Sequence, residues 1–420
     1  MVHVHGRRVQ QLVESLRRIP PEQVIAVAVD AGKATAVALV ADFTGERLCP
    51  PFKFALNRSG IAELAARVRA ASETGDRHAR LVRVGVEASG YHLPLVSPGV
   101  LPAEWEAVEF NPAHVAEQRK TNGKRGVKTD VVDATAMFDL LVAGRGSPVG
   151  TATEEITELA AWARYRRGRV ALRRDVEHHL VSLLDRAFPG LTGCLRRVMV
   201  TKVGRLVVAD FRDPARLARL GVARFRRYAA RRGLRVTTGT AQRLVTAARE
   251  ALPAADAAVA REAIGWDLTL LAEIDRQLAH AAGQLAELLP NTPFDVLTTT
   301  PGWATIRAAG YGGALGDPAR WPTASQVYRA SGLTPAVHES AGRRVDGEIS
   351  REGSVGLRWA LLELALGLRH HDRAARAYAA QLADRGKHSM VIWTALANRA
   401  NRIAFAMVRD QTVYDPACWR

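Results

Sequence analysis

Cysteine is scarce in this chain: 420 residues contain only Cys49, Cys194 and Cys418. Their wide spacing builds neither a disulfide framework nor a CxxC metal site, so a reducing compartment is expected. Long hydrophobic runs are missing too, and none approaches the roughly 20 apolar residues of a membrane-spanning helix. The first residues, Met1-Val2-His3-Val4-His5-Gly6-Arg7-Arg8, lack the apolar core of a secretory signal. A soluble cytoplasmic protein with no membrane partner is the expectation. No strict internal repeat is visible, which argues against a solenoid. Negative charge is the scarce sign, with 42 Asp and Glu against 59 Lys and Arg and a formal net charge of +17.

That excess is concentrated. Residues 161–235 hold 20 Lys or Arg against 5 Asp or Glu, and all but one of those cations are arginine. The planar guanidinium fork suits phosphate, so the segment reads as a nucleic-acid-binding surface. The alternative is a solvated helix face in an arginine-rich protein, but composition bias alone would spread arginine evenly. The expected backbone contacts are Arg166, Arg167, Arg173, Arg174, Arg226, Arg227, Arg231 and Arg232. Tyr165, Phe225 and Tyr228 lie among them, placed either to stack on unpaired bases or to pack in a core.

The length implies more than one domain, and a hydrophobic content of 48% supports proper cores. Residues 24–30 and 34–42 are apolar, β-branched runs joined by Ala31-Gly32-Lys33, a hairpin signal. Residues 51–56 form a third candidate strand. A helix is predicted over 61–71 with Ser59 as its N-cap, then strands at 81–87 and 107–110. Two helices follow Asn111-Pro112, the second running from 129 to about 142. Three strands, a helix, a strand, a helix, a strand and a helix is the order of an RNase H-like fold. In that fold the first strand, the fourth strand and the last helix meet at one edge.

Four carboxylates fall at that expected edge. Asp30 ends the first apolar run, Glu87 ends the fourth strand, and Asp130 and Asp133 share one face of the last helix. An acid closing an apolar strand is costly to bury without a partner. Two of them with a helical acidic pair suggest a cradle for divalent metal, Mg2+ by its preference for oxygen ligands. Each acid taken alone could equally be a helix cap or a salt-bridge partner, Asp130 above all. Lys120, Lys124, Arg125 and Lys128 precede the acidic pair and could grip a nucleic-acid backbone or simply be solvated.

Helices dominate residues 153–290. Tyr165, Leu172, Val176, Leu183 and Ala187 form a rough heptad stripe. Leu271, Ile274, Leu278, Ala281, Leu285 and Leu288 alternate spacings of three and four. That seam is short, so an intramolecular helical hairpin and a dimeric coiled coil are both open. From about residue 295 short helices are expected over 304–310 and 321–330. A polar hairpin-like loop follows over 333–349, then helices over 355–366, 373–383 and 388–409. The doublets His178-His179 and His370-His371 lack metal-ligand spacing.

Taken together, these residues resemble the DEDD-type transposases of bacterial insertion sequence 110 and its relatives. The N-terminal matches are Val27-Ala28-Val29-Asp30, Val86-Glu87-Ala88-Ser89-Gly90, Asn111-Pro112 and Lys128-Thr129-Asp130-Val131-Val132-Asp133-Ala134. The C-terminal matches are Pro301-Gly302-Trp303, Ala330-Ser331-Gly332-Leu333-Thr334-Pro335 and Glu339-Ser340-Ala341-Gly342. Ile349-Ser350-Arg351-Glu352-Gly353, Leu357-Arg358 and Val413-Tyr414-Asp415-Pro416 complete them. Ala341 stands where many relatives have glycine directly after the serine, and Gly353-Ser354-Val355-Gly356 departs from the common Gly-Asn.

The resemblance implies four parts: an extension (1–21), a RuvC-like catalytic domain (22–150), a basic helical or coiled-coil segment (151–294) and a mainly α transposase domain (295–420). It further implies that Asp30, Glu87, Asp130 and Asp133 hold one or two Mg2+ ions. Ser340 would be the nucleophile that attacks a DNA phosphate, with Arg343 and Arg344 neutralising it. Ser331, Ser350 and Ser354 are the fallback candidates. Implied partners are donor and target DNA, an element-encoded guide (bridge) RNA, and further copies of the chain in a dimer or tetramer near the nucleoid. The competing readings are a RuvC-like endonuclease that uses water, and a domesticated nucleic-acid-binding protein without catalysis.

Overall fold

The computed structural model describes residues 19–73, 79–90, 92–97, 99–124, 126–149, 152–195, 197–340 and 343–419; the side chains of Leu93 and of residues 337–346 lie outside the description. The chain divides into two compact units. One comprises the described residues of Met1–Ala160 and Leu289–Arg420, the other Ala161–Leu288.

In the first unit the apolar runs form β1 (Val24–Ala31), β2 (Thr35–Asp42), β3 (Phe52–Ala55), β4 (Leu81–Glu87), β5 (Glu106–Phe110) and the two-residue β6 (Ser147–Pro148). Their spatial order is β3-β2-β1-β4-β5-β6. The β1–β2, β2–β3 and β5–β6 pairs are antiparallel, whereas β4 runs parallel to both β1 and β5. This mixed sheet is compatible with the RNase H-like fold. Strand β1 reads as an unbroken apolar run because both its faces are covered. Helix α1 (Arg58–Ser72) contributes Leu64 and Val68 to a layer with Ile25, Val27, Val29, Val84 and Val86. On the other face Ala26, Ala28, Val108 and Phe110 meet Ala134, Met137 and Leu141.

Those last residues belong to the second of two helices, α2 (Pro112–Thr121) and α3 (Asp130–Val142). Asn111 caps α2 by accepting from the Ala113 amide, with Pro112 in the first turn. Thr129 caps α3 by accepting from the Val132 amide. Helix α1 corrects one expectation: its cap is Asn57, which accepts from the Gly60 amide. Ser59 already lies inside the first turn and donates its hydroxyl to the Asn57 side chain.

The next helices are α4 (Glu154–Ala187), α5 (Lys202–Asp210), α6 (Pro214–Ala230), α7 (Thr238–Glu250) and α8 (Ala257–Leu288). Gly221, at φ 71°, breaks α6. Helices α4 and α8 run antiparallel: the Tyr165 hydroxyl donates to Gln277, Arg173 pairs with Asp275, and His179 lies 2.8 Å from Asp267. Leu271 and Ile274 of the α8 seam enter the core with Val176, Leu180 and Phe225. Of the two arrangements open from the heptad pattern, the intramolecular hairpin is the one seen within this chain.

The remaining elements are α9 (Thr305–Leu315), α10 (Ala324–Ala330), β7 (Pro335–Ser340), β8 (Arg343–Ile349), α11 (Val355–His371), α12 (Arg373–Asp384) and α13 (Ser389–Asp410). Strands β7 and β8 form an antiparallel hairpin, and α11 packs on α9, α12 and α13. Trp303 anchors this part: it is fully buried, and its Nε1 donates to the Leu364 carbonyl. Gly302 makes that seating possible, because at φ +81° an added Cβ would lie 2.5 Å from the Gly367 carbonyl oxygen.

Candidate functional site

Parallel pairing of β1 and β4 aligns Val29 with Val86, so Asp30 and Glu87 leave the sheet side by side at its carboxyl end. Helix α3 starts at the same edge and carries Asp130 and Asp133 in its first turn. Its close approach depends on Gly85, where a Cβ would meet Phe110 at 2.5 Å and Leu141 at 2.9 Å. The four acids share one electrostatic field. Burial, then repulsion from Asp133, Asp130 and Glu87, raises the Asp30 carboxyl to about 6 against the partial relief of Lys128. Burial and Asp133 push Glu87 up as well, opposed by Lys128, Arg119 and His92. Asp133 is 2% exposed and takes an ion pair from Arg119 of α2.

Sequence reasoning did not single out Arg119, which stands 14 residues before its partner in no recognisable pattern. It supplies the positive charge nearest the deepest acid. Among the described residues no three carboxylate, imidazole or thiolate groups are drawn into a finished ion cage. The donor set nonetheless fits a hard divalent cation: hard oxygen donors, a shared unfavourable negative field, and a cationic side chain already drawn to it. Metal ligation by all four would require Arg119 to yield Asp133.

Ser340 ends β7 and stands opposite Arg343 in the hairpin register. The side chains of Ser340, Arg343 and Arg344 lie outside the described residues, as does Arg125. The root of the hairpin is defined in detail. Arg358 donates from Nε to the Ser331 carbonyl and from Nη2 to the Arg351 carbonyl, at 3.0 and 2.8 Å. The fallback serines have structural roles. Ser331 is fully buried and its hydroxyl donates to the Tyr328 carbonyl. Ser354 caps α11 by accepting from the Leu357 amide, and Ser350 accepts from the Glu352 amide.

The basic candidates divide by partner. Lys124 and Lys128 are exposed, and Lys120 pairs with Glu117 at 3.2 Å. In the second unit Arg173 is engaged by Glu177 and Asp275, and Arg232 lies over the Tyr228 ring and near Asp210. Arg226 donates to the Val236 carbonyl, and Arg174 pairs with neighbouring Asp175. Arg167, Arg227 and Arg231 belong to exposed residues, and Arg166 is half-buried. Of the aromatics, Phe225 is fully buried, Tyr228 packs edge-on against Phe211, and Tyr165 keeps 39% of its surface exposed. No helix among the described residues is long and apolar enough to cross a membrane.

Two stretches match family models: residues 27–189 that of the DEDD transposases of the IS110 type, described as "Transposase", and residues 294–380 "Transposase IS116/IS110/IS902 family". The first span contains all four acids and the second contains Ser340. The chain is 24% identical to the uncharacterized 44.8 kDa protein of insertion element IS116 from Streptomyces clavuligerus, over 93% of this chain and 96% of that one. It is 23% identical to the 42 kDa protein of IS900 from Mycobacterium paratuberculosis, again over 93% and 96%. With the 43.6 kDa protein of IS110 from Streptomyces coelicolor the identity is 33% over 149 residues, covering 35% of this chain and 36% of the other.

Proposed function

Because the chain belongs to the IS110 family of insertion-sequence transposases, and is therefore a DNA transposase or recombinase, we propose that it exchanges DNA strands through a serine–phosphate link formed beside a metal-holding acidic cluster. The observation that carries this reading is the meeting of Asp30, Glu87, Asp130 and Asp133 at one sheet edge, where burial first and the other three acids next lift Asp30 to about 6. Asp30, Glu87, Asp130 and Asp133 would hold Mg2+, which supplies charge neutralisation at the attacked phosphate and at the leaving oxygen. Asp30 and Glu87 come from strand ends and the other two from a capped helix turn, so the donors sit on rigid elements.

Ser340 provides the attacking hydroxyl. Its Oγ–phosphorus bond replaces one ester bond of the DNA, whose freed oxygen departs as a hydroxyl with the serine proton. Attack by a DNA hydroxyl on the phosphoserine reverses the exchange, so no ATP is needed. The commitment of the Ser331 and Ser354 hydroxyls to the fold supports the choice of Ser340. Arg343 and Arg344, next to it across the hairpin, would stabilise the phosphate. The arginine-rich 161–288 unit would hold donor and target DNA with the guide RNA, and dimers or tetramers would bring two duplexes together.

The test is a denaturing gel that traps protein joined to nicked DNA in the presence of Mg2+. Parent protein is expected to give the adduct, while Ser340→Ala and Asp30→Asn give none yet still bind DNA. Free nicked ends without adduct from the parent would replace this reading with hydrolysis by water.

A further inference from the structure

A chain of polar contacts leaves the Glu87 strand end and reaches the C-terminal helices. Just past β4, the Ser89 amide donates to the Glu87 carbonyl and the Ala88 amide to that of Phe110. Gly90, at φ +96°, turns the backbone so that its N–H donates to His92 Nδ1 at 3.1 Å. With Nδ1 accepting, the proton of His92 lies on Nε2, which faces Glu109 Oε1 at 3.1 Å. The other Glu109 oxygen, Oε2, accepts from Arg320 Nη2 at 3.0 Å. The three side chains are 6%, 18% and 21% exposed, so the chain is largely withdrawn from water. Burial opposes charge on Glu109, but the His92 hydrogen bond and the Arg320 guanidinium outweigh it and hold the carboxyl below its ordinary range.

The two ends of this chain belong to different parts of the first unit. Glu109 lies on β5 opposite Val86, one step from the Glu87–Phe110 pair. Arg320 lies in the turn Pro318–Arg320, just before α10. Helix α10 is followed directly by the buried Ser331, and β7 begins four residues later. The Asn401 amide donates to the Ala324 carbonyl, and Arg358 fixes Ser331, so a displacement of Arg320 would carry the hairpin root with it.

We propose that Glu109 and Arg320, with His92 behind them, are positioning residues that fix the serine-bearing hairpin relative to the acid-bearing edge of the sheet. A half-buried Arg–carboxylate pair is suited to this, because it is directional and cannot be exchanged for water without cost. The inference rests on the serine reading above, but its geometry can be tested apart from it.

Glu109→Gln, Arg320→Gln and the double variant are made in the full-length chain, with Arg320→Lys as the conservative change. Urea unfolding, DNA affinity and the single-turnover rate of adduct formation at saturating DNA are measured. Each single Gln variant is expected to slow adduct formation at least ten-fold with DNA affinity unchanged. The double variant should be no slower than either single, and Arg320→Lys should recover part of the rate. Additive slowing, unchanged rates or an equal loss of DNA affinity would overturn the proposal. If Ser340→Ala still forms adduct, the serine reading fails by itself. Non-additive urea stabilities of the 109 and 320 variants would then still report the pair, and additive ones would remove it.

Discussion

Asp30 shows how one position can record a whole site. Its carboxyl is lifted from 3.8 to about 6, by burial first and by Asp133, Asp130 and Glu87 next. A raised carboxyl binds its proton more tightly folded than unfolded, so it weakens the fold wherever the unfolded chain would ionise. That penalty is complete above about pH 6 and vanishes below 3.8. Asp30→Asn should therefore stabilise the metal-free protein at pH 7.5 by on the order of 1 kcal/mol after solvent screening is allowed for. Thermal melts in EDTA across pH 4–8 should show that gain fading toward the acid end. Arg83 makes a different prediction. It is fully buried on β4, its nearest carboxylate oxygen is Glu106 Oε2 at 3.7 Å, and none of its nitrogens has a hydrogen bond among the described residues. Replacing both charges of this poorly paired contact by apolar side chains of similar length is expected to be neutral or stabilising by about 1–4 kcal/mol. Urea denaturation of the Arg83→Met, Glu106→Leu double variant checks this. The acids could be picked out in the sequence because each ends an apolar run or opens a helix. Glu109, inside 106–110, carries no such mark, and its partners His92 and Arg320 lie 17 and 211 residues away.

Strands and helices were readable where burial is periodic or continuous, and misread where glycine or a cap sets the boundary. The break expected after residue 366 does not occur, and α11 runs on to His371. Gly367 lies within the helix as a packing residue rather than a helix breaker, since an added Cβ there would sit 2.6 Å from the Gly302 carbonyl oxygen. The helix expected from 321 starts at Ala324 because Thr323 caps it and Pro318–Arg320 forms a separate turn. The hairpin root offers an element-level test. At Gly353 a Cβ would lie 2.3 Å from the Ala330 carbonyl, which itself accepts from the Ser354 amide. Gly353→Ala should cost roughly 1–3 kcal/mol through overpacking. Hydrogen exchange should show the loss of protection centred on 330–354, with the β1–β4 sheet unaffected.

Charge and connectivity belong to the chain as a whole. The positive excess at 161–235 forecasts a nucleic-acid-binding unit, and among the described residues the exposed Arg227 and Arg231 have no acidic partner. If they contact duplex backbone, changing both to Ala should weaken binding across sequences. The slope of log affinity against log salt should fall by about 0.9 per contact removed. Titrations between 50 and 200 mM salt would measure it, and an unchanged slope would return both side chains to plain solvation. The same unit also explains why the heptad seam of α8 was ambiguous: periodicity shows that a face is buried but not which helix covers it. Here Leu271 and Ile274 share a core with Val176 and Leu180 of α4.

Local pattern was enough to locate strands β1–β5, helices α1–α3, the four acids and the basic segment, because burial period and charge density are properties of neighbouring residues. Which acids feel one another, that Arg119 answers Asp133, and that Glu109 meets Arg320 came only from the folded chain. So did the joining of the described residues of Met1–Ala160 and Leu289–Arg420 in one compact unit. Those facts depend on distances between residues far apart in order, and such distances are set when distant surfaces pack.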